Sequence, residues 1–291
     1  QESDTGTTGD VAGEGDAAPK DDSKSDGACD SNQLPIVAIH GFMGSGDNYA
    51  SHGLRFVANG LCAGYFNTFD WNSLAQGAGQ NEGLDAFIDE ILAKTGQSQV
   101  NLMGHSAGGG VSYSYLKDAS RAVKVAHYVH IGSYQNDVAA GPEADVPTLN
   151  LWSESDFVIT QKGDIPGATN VKLETEDHMS VVSSAASFSA IYEFFNDVAP
   201  ATLEMAAEGD LTEAGRVVSL GDNKVQAGRF TRYAFDPATG ERQGEGTEVN
   251  IGENGYWGTL PIERGNSYEY VLDTEGADRP IHYYRRPRQG N

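Results

Sequence analysis

Residues 100–110 read VNLMGHSAGGG, and this stretch decides the fold. Val100, Leu102 and Met103 supply a short buried strand, and residues 107–117 read as a helix that starts among glycines. One serine stands between them. Gly104-His105-Ser106-Ala107-Gly108 fits the pattern G-x-S-x-G, in which a serine is held on a sharp strand-to-helix turn. A serine on so tight a turn sits in a strained backbone conformation. Side chains two positions away on either side would collide, so glycine fits there. The turn lifts the serine Oγ above the end of a sheet and points the following backbone N–H groups at a reacting carbonyl. A glycine-rich turn without chemistry has the same letters, so the rest of the chain must supply a base, an acid and a second N–H donor.

Outward from this stretch, residues 31–198 alternate strand and helix. LPIVAIHGF reads as a strand with a polar exit, and NYASHGLRFVANG as a helix ended by Gly60. Leu84, Phe87, Ile88, Ile91 and Leu92 follow the i, i+3, i+4, i+7, i+8 spacing of an amphipathic helix that Gly96 ends. Three more strands follow in VKVAHYVHIG, TLNLWS and TNVKLET, and SFSAIYEFFNDV closes the series as a helix. Strands separated by helices imply a mostly parallel central sheet with helices on both faces. The functional loops of such a sheet gather at the carboxyl ends of its strands.

After Pro200 no long amphipathic helix follows. Short strands alternate with turn signals such as Asp236-Pro237-Ala238-Thr239-Gly240 and Glu253-Asn254-Gly255. Leu260 and Ile262 share one face, as do Tyr268, Tyr270 and Leu272. Residues 200–291 are therefore expected to form a small all-β, sandwich-like domain, and residues 31–199 the α/β domain. Residues 1–30 differ from both: nine acids face only Lys20 and Lys24, with almost no large apolar side chains. Such a segment cannot bury enough apolar surface to offset its ordering entropy. It is expected to be a disordered acidic tether of the kind that follows a removed export signal, or a frayed terminus; the opening Gln1 fits the former.

The net charge of −23 argues against a nucleic-acid partner, whose phosphates would be repelled. No apolar run is long enough to span a membrane. Cys29 and Cys62 are the two cysteines, each shortly before an expected strand. If those strands are parallel neighbours, both cysteines lie at one end of the sheet. A disulfide is then reasonable and fits an exported protein; two unrelated buried thiols are the alternative.

The remaining parts of a serine site can be placed. AIHGFMGSGDN follows the first strand, and its His40-Gly41 step allows the N–H of Phe42 to turn toward Ser106. With the N–H of Ala107 this makes a candidate oxyanion hole. His40 itself is expected to hydrogen-bond within the loop. In LWSESDFVI, Asp156 lies past the strand end, while Glu154 competes from two residues nearer the strand. His178, in LETEDHMSVV, is the only histidine after Asp156 within the α/β domain. Ser106 would attack an ester carbonyl, His178 would move the proton, and Asp156 would fix the histidine tautomer. There is no metal-ligand cluster and no phosphate loop, and no cofactor is implied.

The stretches VAIHGFMGSGDNY, HGLRFVANG, VNLMGHSAGG, TLNLWSESDFVI and ATNVKLETEDHMSVV together resemble the α/β-hydrolase lipases and carboxylesterases, in particular those with an appended C-terminal β domain. The order Ser106, Asp156, His178 is theirs. The resemblance implies an α/β-hydrolase fold, hydrolysis of triglycerides or other carboxylic esters, and Phe42 and Ala107 at the oxyanion positions. One departure is plain: some relatives carry a long helical lid where this chain has only DWNSLAQGAGQNEG. An open cleft is expected, to which a polyester surface is a plausible partner beside soluble ester or lipid substrates. His105 is a further candidate for the lining. Trp71 and Leu74 either line the entrance or cap the core. The β domain shapes the acyl site, attaches the enzyme to a surface through Tyr256, Trp257, Tyr283 and Tyr284, or only stabilises the fold. A secreted or surface-tethered monomer is expected, with Arg285, Arg286 and Arg288 on a solvated edge.

Overall fold

Short apolar runs can bury both faces only when helices cover both sides of the sheet they form. In the computed structural model they do so. It describes residues 32–62, 64–75, 79–205, 211–274 and 278–285. The acidic segment 1–30, Cys29, Arg286 and Arg288 lie outside the described residues.

The chain runs β1 (Ile36–Ile39), a 3-10 turn (Gly46–Tyr49), α1 (Ala50–Ala58), β2 (Phe66–Phe69), α2 (Gln80–Thr95), β3 (Val100–His105) and α3 (Ala107–Leu116). It continues through α4 (Ala119–Ala122), β4 (Val125–Ile131), β5 (Thr148–Ser153), β6 (Thr169–Leu173), a second 3-10 turn (Ser180–Val182) and α5 (Ala185–Asn196). Six strands form one parallel sheet in the order β2-β1-β3-β4-β5-β6. Alternate side chains feed two cores. Val37, Ile39 and Leu102 pack with Leu84, Ile88 and Leu116 of α2 and α3, while Ala38, Met103 and Val129 pack with Phe56, Phe188 and Ile191 of α1 and α5. The chain steps from β1 outward to β2 and then returns to β3 on the other side of β1. That reversal opens a crevice between the carboxyl ends of β1 and β3, the expected place for a site.

Local differences from the sequence reading have local causes. The helix with the clearest periodicity starts four residues before Leu84, because Gly79 takes a left-handed conformation that redirects the chain into Gln80. The helix expected over 48–60 begins instead as the 3-10 turn. The short α4 went unforeseen, and Asp118 caps it by accepting from the Ser120 N–H.

The C-terminal strands are β7 (Leu211–Arg216), β8 (Gly228–Phe235), β9 (Arg242–Ile251), β10 (Tyr256–Ile262), β11 (Ser267–Thr274) and β12 (Ile281–Arg285). They pair antiparallel as β10-β7 and as β12-β11-β8-β9. Phe230, Tyr270, Ile251 and Val217 form their core, and Trp257 packs edge-on against Phe230 at 5.2 Å. Trp257 is thus a packing residue, whereas Tyr256, Tyr283 and Tyr284 are exposed. A buried ion pair crosses between the sheets: Arg232 on β8 donates to Glu213 on β7 at 3.2 Å, and the Tyr270 hydroxyl of β11 donates to the same carboxylate.

Candidate active site

Ser106 occupies the turn between β3 and α3 with φ +52° and ψ −122°. That region is sparsely populated and costs on the order of 1–3 kcal/mol, so its surroundings must hold it there. They do so through hydrogen bonds. The Ser106 N–H donates to the Ile131 carbonyl at 3.0 Å, and the Ser106 carbonyl accepts from Gly109 N–H at 2.9 Å and Ser133 Oγ at 2.7 Å. The flanking glycines are required by close approach. A Cβ on Gly104 would meet Ser112 Oγ at 2.5 Å and the Gly108 carbonyl at 2.7 Å. One on Gly108 would meet the His40 carbonyl at 2.6 Å and collide with that of Ile39, because α3 lies directly against β1.

The loops after β5 and β6 bring the other two candidates to this serine. His178 Nε2 lies 3.1 Å from Ser106 Oγ, and His178 Nδ1 lies 2.8 Å from Asp156 Oδ2. Asp156 is 1% exposed, and its other oxygen accepts from the N–H groups of Val158 at 2.9 Å and Ile159 at 3.2 Å. A carboxylate can only accept, so Nδ1 carries the proton and Nε2 is left to receive the serine hydroxyl. Glu154 is directed elsewhere: it is exposed and pairs with Lys172 at 2.6 Å. The neighbours of His178 shape its loop. Asp177 accepts from the N–H groups of Met179 at 3.0 Å and Ser180 at 2.7 Å.

His105 stands behind the site. It is buried, its ring lies 4.7 Å from that of His178, and its Nε2 donates to the His178 carbonyl at 2.9 Å. Burial pulls its pKa down to about 4, so it is neutral at ordinary pH and anchors the loop of His178. Trp71 is also buried, stacked on His40 at a centroid distance of 5.8 Å and packed in the core with Val37, Ile39 and Leu84. Leu74 is exposed.

The loop after β1 runs beside Ser106 so closely that a Cβ on Gly41 would lie 2.9 Å from the serine Cβ. The Gly41 carbonyl accepts from His40 Nδ1 at 2.8 Å and from the Gly44 N–H at 3.1 Å. In a planar trans peptide the C=O and the next N–H point in opposite directions. Fixing the Gly41 oxygen therefore fixes the direction of the Phe42 N–H. The N–H of Ala107 stands at the start of α3, where helix N–H groups lack intrahelical partners. The loops that carry these residues also expose apolar side chains: Phe42, Met179 and, at 88%, Phe157.

Three contributors had no local signal in the sequence. Ser133 steadies the Ser106 carbonyl. Ser73 and Asn223 hold the loop after β1, and Asn223 comes from 183 residues beyond His40. Cys62 is buried, and there is no free cysteine among the described residues. No group of three or more His, Cys, Asp and Glu side chains among the described residues is placed to hold a metal. Among them also, no helix is long and apolar enough to cross a membrane.

Residues 35–155 match the family described as alpha/beta hydrolase fold, and residues 209–290 match the one described as lipase C-terminal domain. Among solved structures, a Bacillus licheniformis lipase in mature form is 18% identical, with a TM-score of 0.49 over 59% of this chain and 96% of that one. Aspergillus fumigatus lipase B is 14% identical, with a TM-score of 0.46 over 60% of this chain and 55% of that one. A Bacillus subtilis carboxylesterase is 11% identical, with a TM-score of 0.41 over 57% of this chain and 85% of that one.

Proposed function

We propose that this chain, an α/β-hydrolase carrying a lipase-type C-terminal domain, hydrolyses carboxylic esters through an acyl-serine intermediate on Ser106. The observation that carries this reading is the hydrogen-bond chain Ser106–His178–Asp156 on a strained turn. Ser106 Oγ attacks the ester carbonyl while His178 Nε2 takes its proton. Asp156 stabilises the imidazolium that results. The N–H groups of Phe42 and Ala107 receive the charge on the carbonyl oxygen. Collapse of the tetrahedral adduct expels the alcohol, which takes the proton from His178. Water then repeats the sequence, releasing the acid and restoring Ser106.

The exposed Phe42, Phe157 and Met179 beside the site favour apolar or bulky acyl groups over small polar ones. Among apolar esters, polyester films are the second candidate class. The test is hydrolysis of p-nitrophenyl esters from acetate to palmitate by the intact chain and by Ser106→Ala. We expect turnover that rises beyond acetate, with a loss of roughly 10⁶-fold in kcat in the variant. No turnover at any chain length would refute the reading and favour a silent hydrolase-like binding protein. Release of soluble acid from a polyester film is expected if the cleft admits polymers.

Two organisational readings belong with this proposal. The catalytic part spans about residues 31–199 and the accessory part 200–291, following an acidic tether. Export is supported by Cys62, which is bonded and lies just before β2, the strand that pairs with β1. We assign Cys29 and Cys62 to one disulfide, to be read as a two-dalton mass difference on reduction of the intact chain.

A further inference from the structure

The C-terminal β region reaches the back of the oxyanion loop at one point, the turn after β7. Asn223 sits there with φ +52°. Its Nδ2 lies 2.9 Å from the Trp71 carbonyl, 3.0 Å from His40 Nε2 and 3.2 Å from the Gly44 carbonyl. Two of these partners are carbonyl oxygens, which only accept, so the amide must present its NH₂ and not its oxygen. His40 Nε2 faces the Trp71 N–H as well, at 3.2 Å. The Trp71 N–H can only donate and Asp70 Oδ1, at 3.9 Å, is beyond hydrogen-bond reach, so Nε2 is the unprotonated nitrogen and Nδ1 carries the hydrogen that goes to the Gly41 carbonyl. That carbonyl belongs to the peptide whose N–H is Phe42's.

A second link from the same turn runs in parallel. The Gly221 carbonyl accepts from both the N–H and the hydroxyl of Ser73 at 2.8 Å, and Ser73 Oγ in turn accepts from the Met43 N–H at 2.9 Å. Arg216, at the end of β7, adds an ion pair to Asp70 at 2.9 Å, and Asp70 accepts from the Gly46 N–H at 2.8 Å. Three residues of one turn region therefore grip the loop on both sides of Phe42.

We propose that Asn223 is a positioning residue for the reaction: by holding the unprotonated Nε2 of His40 and the Gly44 carbonyl, it aims the Phe42 N–H at the oxyanion. The C-terminal region is then part of the catalytic apparatus and not an appendage. This inference rests on the ester-hydrolase reading. It makes a specific distinction: a residue that only stabilises the fold would not separate kcat from KM.

The test uses the full-length chain. Asn223→Gly removes the amide at a backbone conformation glycine accepts freely. Asn223→Asp keeps the shape and turns donors into acceptors, and serves as well should the glycine variant not fold. Phe230→Leu, in the β core, is the comparator that loosens this region without touching the turn. Each is assayed for kcat and KM on p-nitrophenyl butyrate and for inhibition by an alkyl trifluoromethyl ketone, whose serine adduct carries an oxyanion. Losing an oxyanion donor outright costs about 10²–10³ in kcat, so a loosened one is expected to cost roughly 10- to 100-fold with KM within about twofold. The ketone should bind more weakly by the factor that kcat/KM falls, while Phe230→Leu lowers the melting temperature and leaves kcat within about twofold. Wild-type kcat in both Asn223 variants, or unchanged ketone binding, would overturn the inference while the hydrolase reading stands on Ser106→Ala. An inert wild type would overturn both.

Discussion

The parallel sheet and the C-terminal sheets treat buried polar groups in opposite ways. In the first, the buried carboxylate of Asp156 faces a histidine at the sheet's edge, and the histidine faces a strained serine. In the second, one oxygen of the buried Glu213 carboxylate, Oε1, accepts from both Arg232 and the Tyr270 hydroxyl between two sheets. Both satisfy the rule that a buried charge must be paired. Only the first leaves one end of its hydrogen-bond chain open to an incoming molecule. Burial and pairing alone thus do not mark a site. What sets the first apart is a hydrogen-bond chain that ends on a serine hydroxyl at a strained turn.

The sharpest way to break this comparison is to disable each carboxylate. Asp156→Asn keeps the geometry but presents the wrong partner to His178 Nδ1, and kcat should fall roughly 10⁴-fold with little change in melting temperature. Glu154→Gln, on the same loop but paired with exposed Lys172, should stay within about twofold of wild type. Steady-state kinetics on one soluble ester reads both, and equal losses would erase the distinction drawn between the two acids.

Glu213→Gln should behave in the reverse sense. It leaves Arg232 buried without its counter-charge, which costs about 3–5 kcal/mol of stability, while kcat of the folded fraction stays within about twofold. Urea unfolding and kinetics on the same sample decide it. A large kcat loss here would mean that Glu213 acts on the site and that the two regions are less distinct than described.

A smaller effect separates the regions by pH. His52, His105 and His130 all belong to the parallel-sheet part, and burial pulls His52 down to about 3 and the other two to about 4. The unfolded chain protonates its histidines near 6.5. Between those values it binds protons the folded chain does not, so stability is lost as pH falls from about 6.5 toward 4. Neither ring nitrogen of His52 has a partner, and its ring packs against Phe188. His52→Phe should therefore gain about 2–3 kcal/mol on wild type between pH 7 and 4.5, measured by urea unfolding at both. Parallel pH curves for the two proteins would refute the assignment.

The sequence displayed the parallel half of this molecule well because its signals are local. The glycines of G-x-S-x-G, the apolar runs of β3 to β5 and the Ser-Asp-His order all lie within short windows or in simple chain order. Asp156 and His178 could be singled out because each follows a strand that ends on the crevice side. The supports of the loop after β1 are illegible for the converse reason. Asn223 and Gly221 meet His40 and Ser73 only through the packing of two regions about 150 or more residues apart in the chain. Nothing in LGDNK distinguishes that turn from any other Asn-containing turn. Trp71 is ambiguous in the sequence because a tryptophan beside a crevice serves either side, and its stacking on His40 depends on a contact between two loops. The β strands were visible as alternation, yet which aromatics faced inward depended on sheet pairing: Trp257 turned toward Phe230 while its neighbour Tyr256 stayed exposed.

The most direct measurement of the central claim is stoichiometric labelling with an alkyl fluorophosphonate, mapped by peptide mass spectrometry. A serine activated by His178 and faced by two oxyanion donors should take one phosphonyl group per chain, on the peptide containing Ser106, and Ser106→Ala should take none. An unlabelled wild type, or a label on another residue, would contradict the account.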